Sequence, residues 1–88
     1  MKTIKLTNTE KTLLAAADYI EEHGWCQNRP VSGGRVCALQ ALHSVKVTGV
    51  YDAVLELERR IGSAIVSWND DPSRTKEQVI STMRAVTR

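Results

Sequence analysis

Residues 7–24, TNTEKTLLAAADYIEEHG, decide the fold class. Thr7 followed three residues later by Glu10 has the spacing of a capping box: the hydroxyl takes the Glu10 amide and the carboxylate returns to the Thr7 amide. Leu13, Ala16, Ala17 and Ile20 then fall on one face at helical spacing, and Glu10, Lys11, Asp18, Glu21 and Glu22 take the other. Gly24 offers a left-handed stop, and His23 puts a basic group into the last turn, where the helix dipole favours it. This pattern predicts a helix over 8–23, preceded by an extended segment over 1–7.

Downstream the texture changes. Asn28, Pro30, Ser32, Gly33 and Gly34 are turn formers, and Gly33-Gly34 can supply two positive-φ positions of a tight hairpin. The flanking residues allow only a stubby ribbon, 25–27 or 29–31 against 35–36. Val36, Leu39, Leu42 and Val45 then recur every three residues with Ala38 and Ala41 between them, predicting a short, largely buried helix over 37–45. Residues 46–49 connect it to a third helix over 50–61, which Thr48 can cap. Its inward stripe is Val50, Ala53, Val54, Leu57 and Ile61, and Gly62 breaks it. A further turn over 63–68 carries Ile65 and Trp68 inward, and Pro72 disfavours helix at the residue before it. Thr75 and Gln78 again have capping-box spacing and open a last helix to residue 86, with Val79, Ile80, Met83 and Val86 apolar. The expected fold is mainly α: a compact bundle of about four helices with a short Gly-rich hairpin or loop between the first and second.

Composition narrows the function classes. An 88-residue chain that is 42% apolar and 25% charged is read as one domain over 1–88. There is no Phe, so Trp25 and Trp68 are the large pieces of a core otherwise built from Leu, Ile, Val and Ala. Each indole buries roughly 150–250 Å² when enclosed, and both are expected to anchor the adjoining irregular segments. The longest apolar run, 13–17, is far short of the about 20 residues of a membrane span. The start has no apolar run of the secretory type, so no membrane is expected and the cytoplasm is the expected compartment. The formal charge of +2 is spread out, and Arg59-Arg60 follow Glu56 and Glu58. Nucleic-acid binders concentrate positive charge against phosphate. A helix-turn-helix over 37–61 would present Asp52, Glu56 and Glu58 to the groove, so nucleic acid is not the expected partner.

Several blocks carry a resemblance: His23-Gly24-Trp25-Cys26-Gln27, Gly34-Arg35-Val36-Cys37-Ala38-Leu39-Gln40-Ala41-Leu42, Ser67-Trp68-Asn69-Asp70, and Arg74-Thr75. In that order they resemble a family of small uncharacterised proteins of actinobacteria and their bacteriophages. The likeness runs over nearly the whole chain, with Gln40 where that family is expected to carry glycine and a shorter stretch between Arg29 and Gly33. It implies a whole-domain module with a phage or actinobacterial origin, and no catalytic residue.

Four constellations bear on chemistry. His23, Cys26, Cys37 and His43 are zinc-type ligands. However, six residues along a helix turn His43 by about 240° away from Cys37, and two small buried thiols beside two unrelated histidines is the simpler reading. Cys37, near a helix start, is the thiol to test: His23 or His43 could act as its base and Asn69 or Asp70 could orient that base. Against that stand the small size of the chain and the look of Cys37 as a core residue. Trp25, Gln27, Arg35, Trp68, Asn69 and Asp70 are expected to converge, either as a clamp that satisfies loop backbone or as the wall of a small-ligand pocket. Asn69 is suited to left-handed geometry at a helix end, Asp70 or Asp71 to accepting amides of the next turn, and Gln27 and Asn28 to tying down the hairpin. Finally, Tyr51 and Leu55 are an i,i+4 apolar pair off the main stripe. If exposed they mark an interaction surface; widening the core face is the commoner outcome. The expectation is a protein-binding module without enzymatic activity, metal or cofactor, whose partner is another protein (a host protein if the chain is phage-encoded) or a second copy of itself as a homodimer.

Overall fold

The first helix of the computed structural model, α1, runs Asn8–His23; the described residues are 7–45 and 49–85. Its capping box is formed: Glu10 N–H donates to Thr7 Oγ1 at 3.1 Å and Thr7 N–H to Glu10 Oε1 at 2.9 Å. Leu13, Ala16, Ala17 and Ile20 are buried as the spacing predicts, joined by Thr12, whose hydroxyl donates to the Asn8 carbonyl at 2.8 Å. The stop at Gly24 differs in kind. Its φ of 103° and ψ of 170° lie outside the left-handed helical region. A β-carbon there would also sit 2.8 Å from Arg35 Cγ. Glycine is needed for chain direction and close approach, and the helix ends where the strand region begins.

After α1 come the strands β1 (Val31–Ser32) and β2 (Arg35–Val36), paired antiparallel through the turn at Gly33 and Gly34. Val36 also forms a parallel bridge with Trp25, so β2 has a neighbour on both sides. Helix α2 (Ala38–Ser44) follows, then α3 (Val50–Ile61), the five-residue α4 (Ile65–Asn69) and α5 (Lys76–Arg84). The chain is therefore mainly helical. The expected turn over 63–68 is instead a short helix. Its first amide, Ile65 N–H, reaches Glu58 Oε2 at 3.1 Å, so the preceding helix caps it. The Thr75–Gln78 capping box of α5 is formed in both directions. Thr48 as a cap, Val86 as an apolar position and the segment over 1–6 lie outside the described residues.

Helix α1 is the hub, packing against α2, α3 and α5. In α2 the buried side is Ala38, Ala41 and Leu42, while Leu39 is only half-buried. Val36 is buried with them, as the apolar pattern predicts, and Leu39 packs at the edge of the core, because a three-residue repeat lags a 3.6-residue turn by about 60° per step. Alanines of α1 and α2 supply the small side chains of the core, and Leu13, Ile20, Leu42, Leu57, Ile65 and Met83 fill its volume. Ala53 and Leu57 are the fully buried residues of α3, with Val54 and Ile61 packed against the core from its edge.

Candidate functional site

Asn69, the last residue of α4, is wholly buried, with 0% exposure. Its Oδ1 accepts from Trp25 Nε1 at 2.6 Å and from the Ala38 amide at 2.9 Å. Its Nδ2 donates to the Cys26 carbonyl at 3.1 Å and to Asp70 Oδ1 at 3.0 Å. A carboxamide offers two acceptor positions and two donor hydrogens, so this one is saturated. Through it α4 holds the segment after α1 and the first orphan amide of α2 at once. Asn69 does not take the left-handed geometry suggested for it. Among the described residues the non-glycine residue with positive φ is Asn28, at 69°.

The surrounding groups extend the clamp. Gln27 Nε2 donates to the carbonyls of Asn69 at 3.0 Å and Asp71 at 2.7 Å. Gln27 thus satisfies the backbone of the opposite loop, not that of its own hairpin, because the end of α4 presents its free carbonyls there. The Asn28 amide in turn donates to Asp70 Oδ1 at 2.8 Å. Asp71 caps the next turn, accepting the Ser73 amide at 2.9 Å and its hydroxyl at 2.8 Å. Those two donors hold its carboxyl below the usual range. Trp68 is half-buried with Arg74 stacked over its ring at 4.4 Å, and Arg74 Nε donates to the Trp68 carbonyl at 2.9 Å. Four of the six expected residues, Trp25, Gln27, Asn69 and Asp70, therefore meet, while Trp68 contacts Arg74. Arg35 does not meet them: it is exposed on β2, and its methylenes run beside Gly24.

Beside the clamp lies a pocket of about 260 Å³, between Asn28, Arg29 and Pro30, the Leu39–Gln40–His43 side of α2, and Val66, Asn69 and Asp70. Cys37 also lines it. Cys37 is the N-cap of α2, and its Sγ accepts the Gln40 amide at 3.3 Å. Cys26 donates its S–H to the Arg29 carbonyl at 3.3 Å. Burial pushes the Cys26 thiol up, and negative charge on Cys37 would push it further. The zinc-type set is not assembled. His23 is exposed and stacked on Tyr19, with ring centroids 4.2 Å apart. His43 is exposed on α2, and among the described residues no three His, Cys, Asp or Glu converge on a cation position. The pocket does bring Cys37, His43 and Asn69 to one place, but the Asn69 amide has no hydrogen bond left with which to orient a base.

The outer face of α3 carries the other candidate. Tyr51 is 74% exposed and Leu55 48%, so this pair does not widen the core face. Next to it a shallow cleft runs between α3 and the start of α1, walled by Thr9, Asp52, Leu55 and Arg59. Glu56 accepts from Arg59 at 2.8 Å and from Arg60 at 2.6 Å. The Arg60 and then the Arg59 guanidinium hold its carboxyl below the usual range. The basic pair is thus tied down along the helix by its own neighbour.

The chain belongs to a family of unknown function (DUF6197), whose model matches residues 5–88. No curated protein matches it, and no solved structure does. Among the described residues no helix is long and apolar enough to cross a membrane.

Proposed function

We propose that this member of the DUF6197 family is a protein-binding module that uses the outer face of α3, and that it is not an enzyme. The observation that carries the reading is the pair Tyr51 and Leu55, two large apolar side chains one helical turn apart and left in water. Tyrosine is favoured at the centre of protein interfaces because it adds much contact area at little cost in rotamer freedom. The adjoining cleft offers polar and charged groups suited to an interface rim. A protein suits this face better than nucleic acid, since Glu56 already occupies Arg59 and Arg60. The block resemblance to proteins of actinobacteria and their bacteriophages favours a cytoplasmic host protein as the partner of a phage-encoded copy. A second copy of the chain is the alternative occupant.

The absence of catalysis is argued from the clamp. The amide that would fix a catalytic imidazole is spent on Trp25, Ala38, Cys26 and Asp70.

The test is a Tyr51→Asp/Leu55→Asp double variant, compared with the wild-type chain by affinity capture and by sedimentation across concentration. The wild type should retain a defined partner or self-associate. The variant should lose that complex by at least about tenfold in affinity, as for substitution of interface anchors. Capture of the same partner by both chains, with unchanged sedimentation, would remove this face from consideration.

A further inference from the structure

Cys26 and Cys37 stand one step along from a parallel rung of backbone pairing. Cys26 N–H donates to the Val36 carbonyl at 3.0 Å and Val36 N–H to the Gly24 carbonyl at 3.1 Å, which sets Trp25 opposite Val36. The next residue on each strand is a cysteine. Neighbouring strands lie about 4.8 Å apart, and facing residues point to the same side. Trp25 and Val36 point into the core, so the two thiols share the other side. Both cysteines also meet at one oxygen: the Pro30 carbonyl takes the Cys37 amide at 3.0 Å and faces Cys26 Sγ at 3.7 Å. Disulfides bridge Cα atoms roughly 4.4–6.8 Å apart, a range that includes the spacing of neighbouring strands.

We propose that Cys26 and Cys37 form a reversible dithiol site that is oxidised by small-molecule disulfides of the glutathione type. Access runs through the pocket beside the clamp. Cys37 lines it, so a reagent sulfur can reach that thiol although little of the residue is exposed. The Cys37 thiolate attacks one sulfur of the reagent, forming a mixed disulfide and releasing one reagent thiolate. Cys26 then gives its proton to solvent and attacks Cys37 Sγ, releasing the second. Two electrons and two protons leave the protein dithiol, and the reagent disulfide becomes two thiols. In the mixed disulfide Cys37 no longer carries charge, which removes one of the causes that hold the Cys26 proton on.

Oxidation has local consequences. Cys26 loses the S–H that it donates to Arg29, and Cys37 Sγ is drawn from the Gln40 amide that it caps. The loop 28–30 and the first turn of α2, two walls of the pocket, are thereby tied to the redox state of the pair.

The experiment equilibrates the full, folded chain in buffers running from reduced to oxidised glutathione, quenches with acid, and reads intact mass and linked peptides. The expected product is lighter by two hydrogens, contains a Cys26–Cys37 link, and returns to the dithiol when reduced glutathione is restored. Cys26→Ser should instead hold one glutathione on Cys37. A wild-type chain that stays reduced, that stops at the glutathione adduct, or that forms the link only after denaturant has unfolded it, overturns the proposal. The wild-type measurement stands whether or not the variant folds.

Discussion

Around Asn69, polar groups from three separate segments are spent on one another: an indole, two primary amides, a carboxylate and several backbone groups are closed into one network. On the outer face of α3, ten to twenty residues before it in sequence, a phenol and an isobutyl group face water, and Glu56, Arg59 and Arg60 beside them pair along their own helix. The two regions show that a cluster of chemically capable side chains is a poor guide to function when their valences are filled internally. The clamp contains the residues that look most like a site, and its internal bonding explains them. The α3 face looks plain in sequence and is left unexplained by the fold.

That contrast can be broken from either side. The largest effect is expected from Asn69→Ala, which leaves the Trp25 indole N–H, the Ala38 amide and the Cys26 carbonyl without their partner. Each buried orphan costs about 1–3 kcal/mol, so a loss of about 3–5 kcal/mol in urea or thermal unfolding is expected, a large share of a small domain's stability. A loss under about 1 kcal/mol would show that the network is ornamental. Trp25→Phe removes the indole N–H that bonds Asn69 together with part of the ring volume packed on the core, and should cost about 1–3 kcal/mol by the same measurement. The next effect is on pH dependence. Burial raises the Cys26 thiol above its unfolded value, so its contribution is intact below the ordinary thiol range near about 8.5 and falls as pH rises through the folded value. Stability measured across alkaline pH should therefore decline in the wild type and decline less steeply in Cys26→Ala. At the small end, the Tyr51→Asp/Leu55→Asp chain should unfold within about 0.5 kcal/mol of wild type, as exposed positions do.

Much of this was legible in the residues. Two capping boxes, the α1 stripe and the four longer helices follow from local signals, because caps and periodicity act within a few residues. The short apolar helix α2 was legible as well, from alanines set between larger apolar residues. The convergence of Trp25, Gln27, Asn69 and Asp70 was visible as composition. Its geometry was not: Gln27 serves the opposite loop, Arg35 stands apart, and positive φ belongs to Asn28. Those facts depend on contacts between segments more than forty positions apart in the chain, for which no local pattern exists. The exposure of Tyr51 and Leu55 was undecidable for the same reason, as it depends on what does not pack against α3.

The long reach of the Asn69 bonds has a kinetic side. Helix α1 can form from its own sequence, whereas Trp25 and Asn69, 44 positions apart, meet only after the intervening loop has closed. Closing such a loop costs chain entropy before any contact rewards it. The clamp is therefore expected to form after α1, and its removal is expected to accelerate unfolding more than it slows folding. The saturated carboxamide of Asn69 would then act as a latch on the folded chain.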